Sequence, residues 1–390
     1  MLSIDEALAL VLEAVRPLGD EELPVADALD RVLAEDVVAT HDVPRFANSA
    51  MDGFAVRSAP EEGRRLRIVS ESRAGAPATV PVGEGEAIRI STGAALPAQA
   101  DAVVPVENTH EAGGEVVIDG VAAPGENVRN PGEDLCAGDV VLPAGTRLGP
   151  AELGLAVAAG RATIRCARRP LVSIVATGDE LVDAGERLGP GQIHDSNALS
   201  LAALANRAGA TVVGSRRVGD DAEATRSALA AALDEADLVV VSGGVSVGPH
   251  DHVKPALAEL RVEERFWRVA LRPGKPTWFG VRGETLVLGL PGNPVSALVT
   301  FLLFARPALA ALQGAAPPRR HRAVLAHDLP RHPARDEMVR VRIDDDGRAH
   351  ATGPQGSHVL SSMLGADGLA LIPRGEGQVT AETLIEIEPI

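Results

Sequence analysis

A chain of 390 residues with 54 acidic and 37 basic side chains has a net charge of −17, which argues against a nucleic-acid coat or an anionic membrane as partner, since both need a basic face. Aromatic residues are only 2% and tyrosine is absent, so the core must rest on Leu, Val, Ile and Ala, in a chain long enough for roughly two to four domains. Cys136 and Cys166 belong to no CxxC or Cys/His cluster, and acid stands near the N-terminus where a secretory signal would carry base. No disulfide framework, zinc site or membrane-spanning run is therefore expected, and a reduced, cytoplasmic setting is the simple reading.

Ser3 with Glu6 three residues on reads as a capping box, and Leu8, Val11, Leu12 and Val15 recur at helical spacing. Pro17 and Gly19 end that helix, and a second is predicted from about Val25 to Leu33. From Thr40 to about Val141 short β-type runs alternate with Gly and Pro, which predicts a β-rich domain with many turns. Within it lie the clusters Asn48 to Gly53, Arg89 to Glu107 and Glu126 to Asp134. Each can be an ordinary turn, although three of the seven asparagines of the chain, Asn48, Asn127 and Asn130, fall there. Residues 149 to 160 read as a small Ala-rich helix able to return onto the first ones, so that the β-rich segment becomes an insertion.

From Arg169 strands alternate with helices of ten or more residues, the signature of a parallel sheet. The segments Thr177 to Glu180, Ser242 to Asp251 and Leu290 to Pro294 all follow strands and can face one crevice. No Walker P-loop or GxGxxG fingerprint is present, which disfavours ordinary NTPase and dinucleotide readings. An apolar helix runs to about Leu312, QGAAPPRR from Gln313 reads as a linker, and the remainder reads as a small all-β domain. The division is residues 1–40 with 143–168 (helical), 41–142 (β-rich insertion), 169–316 (α/β) and 317–390 (β).

The organising stretch is Asp237 to Pro255, where a buried-strand run ends in Ser242, Gly243, Gly244, Ser246, Gly248, Asp251 and Lys254. Its glycines can let amide groups approach an anion, and its serines add hydroxyls. Of the basic residues only Lys254 and Lys275 are lysine. In a composition that otherwise uses arginine, two lysines in two Gly/Pro-rich loops point to a need for a compact point charge at an anion site.

The segments SAMDGFAV (49–56), TGAALPAQADAVVPVE (92–107), TGDEL (177–181), DSN (195–197), SGGVSVGPHDHVK (242–254), PGKP (273–276) and GLPGNPVSA (289–297) together resemble the molybdopterin molybdenumtransferases, the MoeA and gephyrin E-domain family. The resemblance covers essentially the whole chain, in order. It implies a four-domain homodimer with a helical N-terminal domain, an inserted β domain, an α/β molybdopterin-binding-like domain and a C-terminal β-barrel. It also implies a reaction in which molybdate and adenylylated molybdopterin yield the molybdenum cofactor and AMP with Mg²⁺, and a possible contact with the molybdopterin adenylyltransferase.

By the same resemblance Asp251 and Glu180 are the first candidates for metal or metal-bound water, with Asp220 or Asp221 as a third carboxylate that can equally cap a helix. Asp52, Thr92 and Asp134 match positions that face the crevice, that of the partner subunit. Lys275 with Arg272 is expected to hold molybdate or phosphate, and Lys254 to support the glycine loop. Pro291, Asn293, Pro294 and Ser296 are expected to wall the pocket, and Arg340 and Ser357 match positions linked with oxyanion binding. Many members carry lysine where this chain has Arg272, which widens and flattens the donor. An insertase for tungstate, and a dimeric scaffold without catalysis, are the alternatives of the same fold.

Overall fold

The computed structural model describes residues 1–245 and 251–390, so Ser246, Gly248 and His250 lie outside the described residues. The chain forms two compact units, one of Met1–Glu21, Asp30–Ala34 and Cys166–Ile390, the other of Glu22–Leu29 and Glu35–Arg165.

The first unit is built on a six-stranded sheet in the order Thr211–Val218, Leu171–Thr177, Leu238–Ser242, Thr285–Leu290, Trp278–Arg282, Glu263–Trp267. The first four strands are parallel and the last two run antiparallel to their neighbours. Because successive side chains of a strand point to opposite faces, Leu238 and Val240 enter one core while Val239 and Val241 enter the other. Helices Ile4–Ala14, Ser196–Arg207 and Pro294–Leu312 cover the first face, and Ala222–Glu235 with Val253–Glu259 the second. Burial on both faces explains the unbroken β-branched run. It also makes the strand ends a rigid platform, since each fully buried Val or Leu contributes about 1.5–3 kcal/mol.

The helix Pro294–Leu312 corrects one expectation from the sequence. It is 19 residues long and holds an 18-residue window of mean hydropathy 1.9, long and apolar enough to cross a membrane by length and composition, yet 83% of that window is buried inside the fold. A helix enclosed by its own protein is apolar all round for that reason. A π-helical segment, Phe301–Ala305, interrupts it just before Pro307. Proline has no N–H and its ring crowds the carbonyl four residues back, so the helix widens there. Gln313, expected at the start of a linker, is buried and donates to Ala208 and Leu309 carbonyls.

The remainder of this unit is a closed barrel: Asp336–Ile343, Arg348–Ala351, His321–Leu325, Leu384–Pro389 and Gly368–Ile372 pair in turn, and the last pairs again with the first. The helix predicted from Val25 to Leu33 does not form. Val25–Asp27 is a single 3₁₀ turn and Asp30 has a φ of +62°, which no right-handed helix accommodates. Arg31 is buried instead, donating to the Ala167 carbonyl.

In the second unit six strands, Ala102–Pro105, Gly53–Val56, Glu86–Ile90, Arg65–Ser72, Glu115–Ile118 and Thr109–Ala112, form one sheet in that order. The helix Pro150–Ala158 packs on Val25–Asp27 within this unit. In the first unit the helix Ile4–Ala14 opens on a capping box, Ser3 N to Glu6 at 2.7 Å and Glu6 N to Ser3 Oγ at 3.2 Å, and starts a stripe of Ile4, Ala7 and Val11 sunk in the α/β core.

Arg306 of the long helix pairs with Glu388 at 2.6 Å, and the same buried carboxylate accepts from Arg320 at 2.9 Å. Burial lowers the Arg306 pKa against the pull of Glu388. Glu388→Ala strands Arg306 and leaves Arg320 only its pair with Glu386, and should destabilise this unit by about 3–5 kcal/mol, whereas Glu382→Ala, which breaks the exposed pair with Arg348, should cost under about 1 kcal/mol. Urea unfolding followed by Trp267 and Trp278, the chain's two tryptophans, reads this unit selectively; equal effects of both substitutions would contradict the buried-pair account.

Candidate functional site

The strand Leu171–Thr177 connects first to an outer neighbour, Thr211–Val218, and the chain then returns to Leu238–Ser242 on its other side. That reversal is the topological switch point where open α/β sheets take ligands. A cleft of about 520 Å³ opens there, lined by Thr177, Glu180, Asp195, Ser196, Asn197, Ser242, Gly292, Asn293, Pro294 and His358, with Leu181 and Ile193 as its apolar side. Of the expected site residues it gathers Glu180, Ser242, Asn293 and Pro294. Asp195, Asn197 and His358 were not singled out as site residues, although the DSN segment and the scarcity of asparagine were signals for the first two.

Local chemistry fixes each wall. Asp195 caps the helix Ser196–Arg207, its Oδ1 accepting from Ala198 N at 3.0 Å. Asn197, in the first turn, then donates through Nδ2 to Ser242 Oγ at 2.9 Å and to the Gly292 carbonyl at 2.8 Å. Gly178 has a φ of +146° with the Glu180 carboxylate folded against it, where a Cβ would stand. At Gly244 the φ is +62°, and a Cβ would lie 2.5 Å from Val253 Cγ2 and 2.8 Å from Thr177 Oγ1; at Gly243 it would lie 2.8 Å from the Thr177 carbonyl. Glycine is therefore required at both positions for the loop to leave the strand against its neighbour.

Asp251, Lys254, Arg272 and Lys275 are not among the described residues lining this cleft. Asp251 is half-buried just before the helix Val253–Glu259. Lys254 Nζ stacks 3.6 Å from the centroid of Trp267, and Arg268 stacks over the same ring at 3.9 Å. The Trp267 indole donates to the Val245 carbonyl at 3.2 Å, at the base of the glycine loop. Arg272 is exposed and pairs with Glu337 at 2.9 Å, while Lys275 stands exposed in the turn that follows.

Several expected site residues have structural occupations. Asp221 is a helix cap, its Oδ1 accepting from Ala224 N at 2.7 Å, and Asp220 is anchored by its own N–H to Asp179 at 2.9 Å. Arg340 is 0% exposed and is not a surface donor for an oxyanion. Its guanidinium donates to Ser362 Oγ at 3.1 Å and to the Pro354 and Gly356 carbonyls at 3.3 and 3.2 Å, and burial lowers its pKa. What it braces is the turn carrying Ser357, whose Oγ accepts from Asn293 Nδ2 at 3.1 Å. Pro291 and Ser296 are buried behind the cleft wall. In the second unit Asp52 Oδ1 accepts from Thr92 N at 2.7 Å, so these two are held together, and Asp134 is exposed.

Among the described residues no group of three or more His, Cys, Asp or Glu side chains could hold a metal ion. Mg²⁺ ordinarily takes one or two carboxylates together with substrate phosphates, and Glu180 and Asp195 both line the cleft, the latter with its Oδ1 also on Ala198 N. The donor set fits a divalent cation that arrives with a phosphate ligand, not a preformed protein cage.

Three family models match the chain: MoeA N-terminal region (domain I and II) over residues 2–160, probable molybdopterin binding domain over 173–311, and MoeA C-terminal region (domain IV) over 322–390. A molybdopterin molybdenumtransferase of Haemophilus influenzae is 36% identical over 100% of this chain and 98% of its own. Molybdopterin molybdenumtransferase 2 of Mycobacterium tuberculosis is 38% identical over 99% of each. The crystal structure of the molybdopterin biosynthesis MoeA protein from Pyrococcus horikoshii matches with a TM-score of 0.86 at 29% identity, covering 100% of both chains.

The brace and the surface arginine separate in a stability measurement. Arg340→Met leaves two carbonyls and a hydroxyl without their donor and should cost about 2–4 kcal/mol, while Arg272→Met should stay within about 1 kcal/mol. If the two unfold in urea at the same midpoint, Arg340 is not the brace.

Proposed function

The chain belongs to the molybdopterin molybdenumtransferase family, transferases of molybdenum cofactor biosynthesis, and from that premise we propose that it inserts molybdenum from molybdate into adenylylated molybdopterin and releases AMP. The observation that carries this reading is the cleft at the switch point, where hydroxyls, amides and two carboxylates converge on one space of about 520 Å³. A phosphoanhydride with its nucleotide needs such a set: donors for phosphate oxygens, and carboxylates to share a cation with them.

In this reading Ser242, Asn293 and the amide groups that follow Gly243, whose own N–H is spent on the Leu290 carbonyl, hold the phosphates. Asn197 acts by keeping the Ser242 and Gly292 segments at fixed spacing. Glu180 and Asp195 would hold Mg²⁺, which when bound neutralises phosphate oxygens and eases departure of AMP. Asp251 belongs to the same acidic set by its place at the end of the glycine loop. Lys275, exposed beside Arg272, supplies the charge that meets molybdate, and Arg272, whose Nη1 pairs with Glu337, stands next to it. A homodimer, the approach of Asp52, Thr92 and Asp134 to the crevice of the partner subunit, and delivery of substrate by a molybdopterin adenylyltransferase belong to the same reading. Light scattering of the purified chain tests the first of these.

AMP release from adenylylated molybdopterin should require both molybdate and Mg²⁺. It should fall on the order of 10²-fold in Glu180→Gln, Asp251→Ala and Lys275→Ala, as when one group that stabilises developing charge is removed. Release without molybdate would make the protein a hydrolase of the anhydride. Binding without any release would favour a scaffold, and normal release by the variants would move the site elsewhere.

A further inference from the structure

The described lining of the cleft holds two carboxylates and a single basic side chain, His358. In a chain of net charge −17, a phosphate that enters beside Glu180 and Asp195 meets an unfavourable field unless a cation or a strong donor faces it. His358 is the group of this chain placed to do so among the lining residues. It comes from the barrel, whereas the other lining residues come from the α/β layer.

The turn that bears it is fixed from both sides. Arg340 donates to the Pro354 and Gly356 carbonyls from within the barrel. From the α/β side, Val295 N donates to the Ser357 carbonyl at 3.1 Å and Asn293 Nδ2 to Ser357 Oγ at 3.1 Å. A Cβ at residue 356 would stand 3.0 Å from His358 Cε1, so Gly356 leaves the room in which the imidazole folds beside its own turn. The ring itself is exposed. An exposed donor on an immobilised backbone is preorganised for a ligand and loses little freedom on binding one.

We propose that His358 binds the phosphate of the nucleotide part of the substrate, and of the AMP that leaves, so that the barrel supplies the basic side chain of the phosphate subsite. This rests on the reading of the cleft as the nucleotide site. Among the described lining residues the charged groups that share the cleft with His358 are Glu180 and Asp195, and Arg340 lies behind its turn.

Calorimetric titration with AMP and with adenosine, in Mg²⁺-containing buffer, separates a phosphate contact from a structural role. Wild-type protein should prefer AMP to adenosine. His358→Asn should lower that preference roughly 10-fold or more, the scale of a hydrogen bond to a charged group, with adenosine affinity unchanged. His358→Lys should restore much of it. Equal weakening of both ligands, or no change in either, would overturn the assignment while leaving the nucleotide site in place. If wild-type protein binds neither ligand, the nucleotide reading itself fails, and the assignment with it.

Discussion

One carboxamide holds the candidate site in register. Asn197 spends both N–H bonds of its Nδ2 on two different strand ends, the hydroxyl of Ser242 and the carbonyl of Gly292. The sheet alone fixes where strands Leu238–Ser242 and Thr285–Leu290 stop, because their ladder continues to the Ser242–Leu290 pair. It does not fix how the two segments diverge beyond that point. Asn197 does so from a third element, and its own position follows from the Asp195 cap two residues before it. The DSN segment thus reads as one device: an acid that starts a helix, and an amide that uses the helix start to tie two loops. Aspartate could not replace the amide, since a carboxylate has no N–H to donate.

The barrel is tied to the α/β layer by bonds of three kinds. Leu271–Arg272 adds a parallel strand beside Asp336 and Glu337. The turn at Ser357 accepts from Asn293 and Val295 at the start of the long helix. Farther along that helix, Arg306 is neutralised by Glu388 from the last barrel strand. These ties give the turn of buried Gly274 and exposed Lys275 a fixed base, because the strand before it pairs with the barrel while Trp278–Arg282 after it belongs to the sheet. They also explain why an arginine as buried as Arg340 is worth its desolvation. Its hydrogen bonds hold the turn that carries one of the ties.

Much of this was legible in the sequence because it is periodic. The alternation of β-branched runs with Ala- and Leu-rich helices, the Ser3–Glu6 capping box and the Gly243–Gly244 pair all express local rules, and the structure follows them. What was not legible depended on partners distant in sequence. Val25, Ala28 and Val32 have helical spacing, but Asp30 is left-handed and Arg31 turns inward to Ala167. Asp221 offered a metal ligand or a cap with equal right, and its cap bond to Ala224 N is visible only once the helix start is in place. The apolarity of Pro294–Leu312 reads alike for a buried helix and for a membrane span until its neighbours are known. Arg340 shows the same limit, since a motif position states a residue's presence and not the direction of its side chain.

The scarcity of lysine takes on a physical meaning once the surroundings are seen. Lys254 and Arg268 share the face area of Trp267, at 3.6 and 3.9 Å, and both gain from the ring's quadrupole. Arginine stacks on aromatics at least as well as lysine, so stacking alone gives no reason for the composition to have spared a lysine there. Two planar forks over one indole would need far more room than one fork and one ammonium, and the indole cannot shift, because its N–H is committed to the Val245 carbonyl. The compact cation is therefore what lets two positive charges sit at the base of the glycine loop. The same reasoning does not extend to Lys275, which is exposed and is not one of the cations over Trp267.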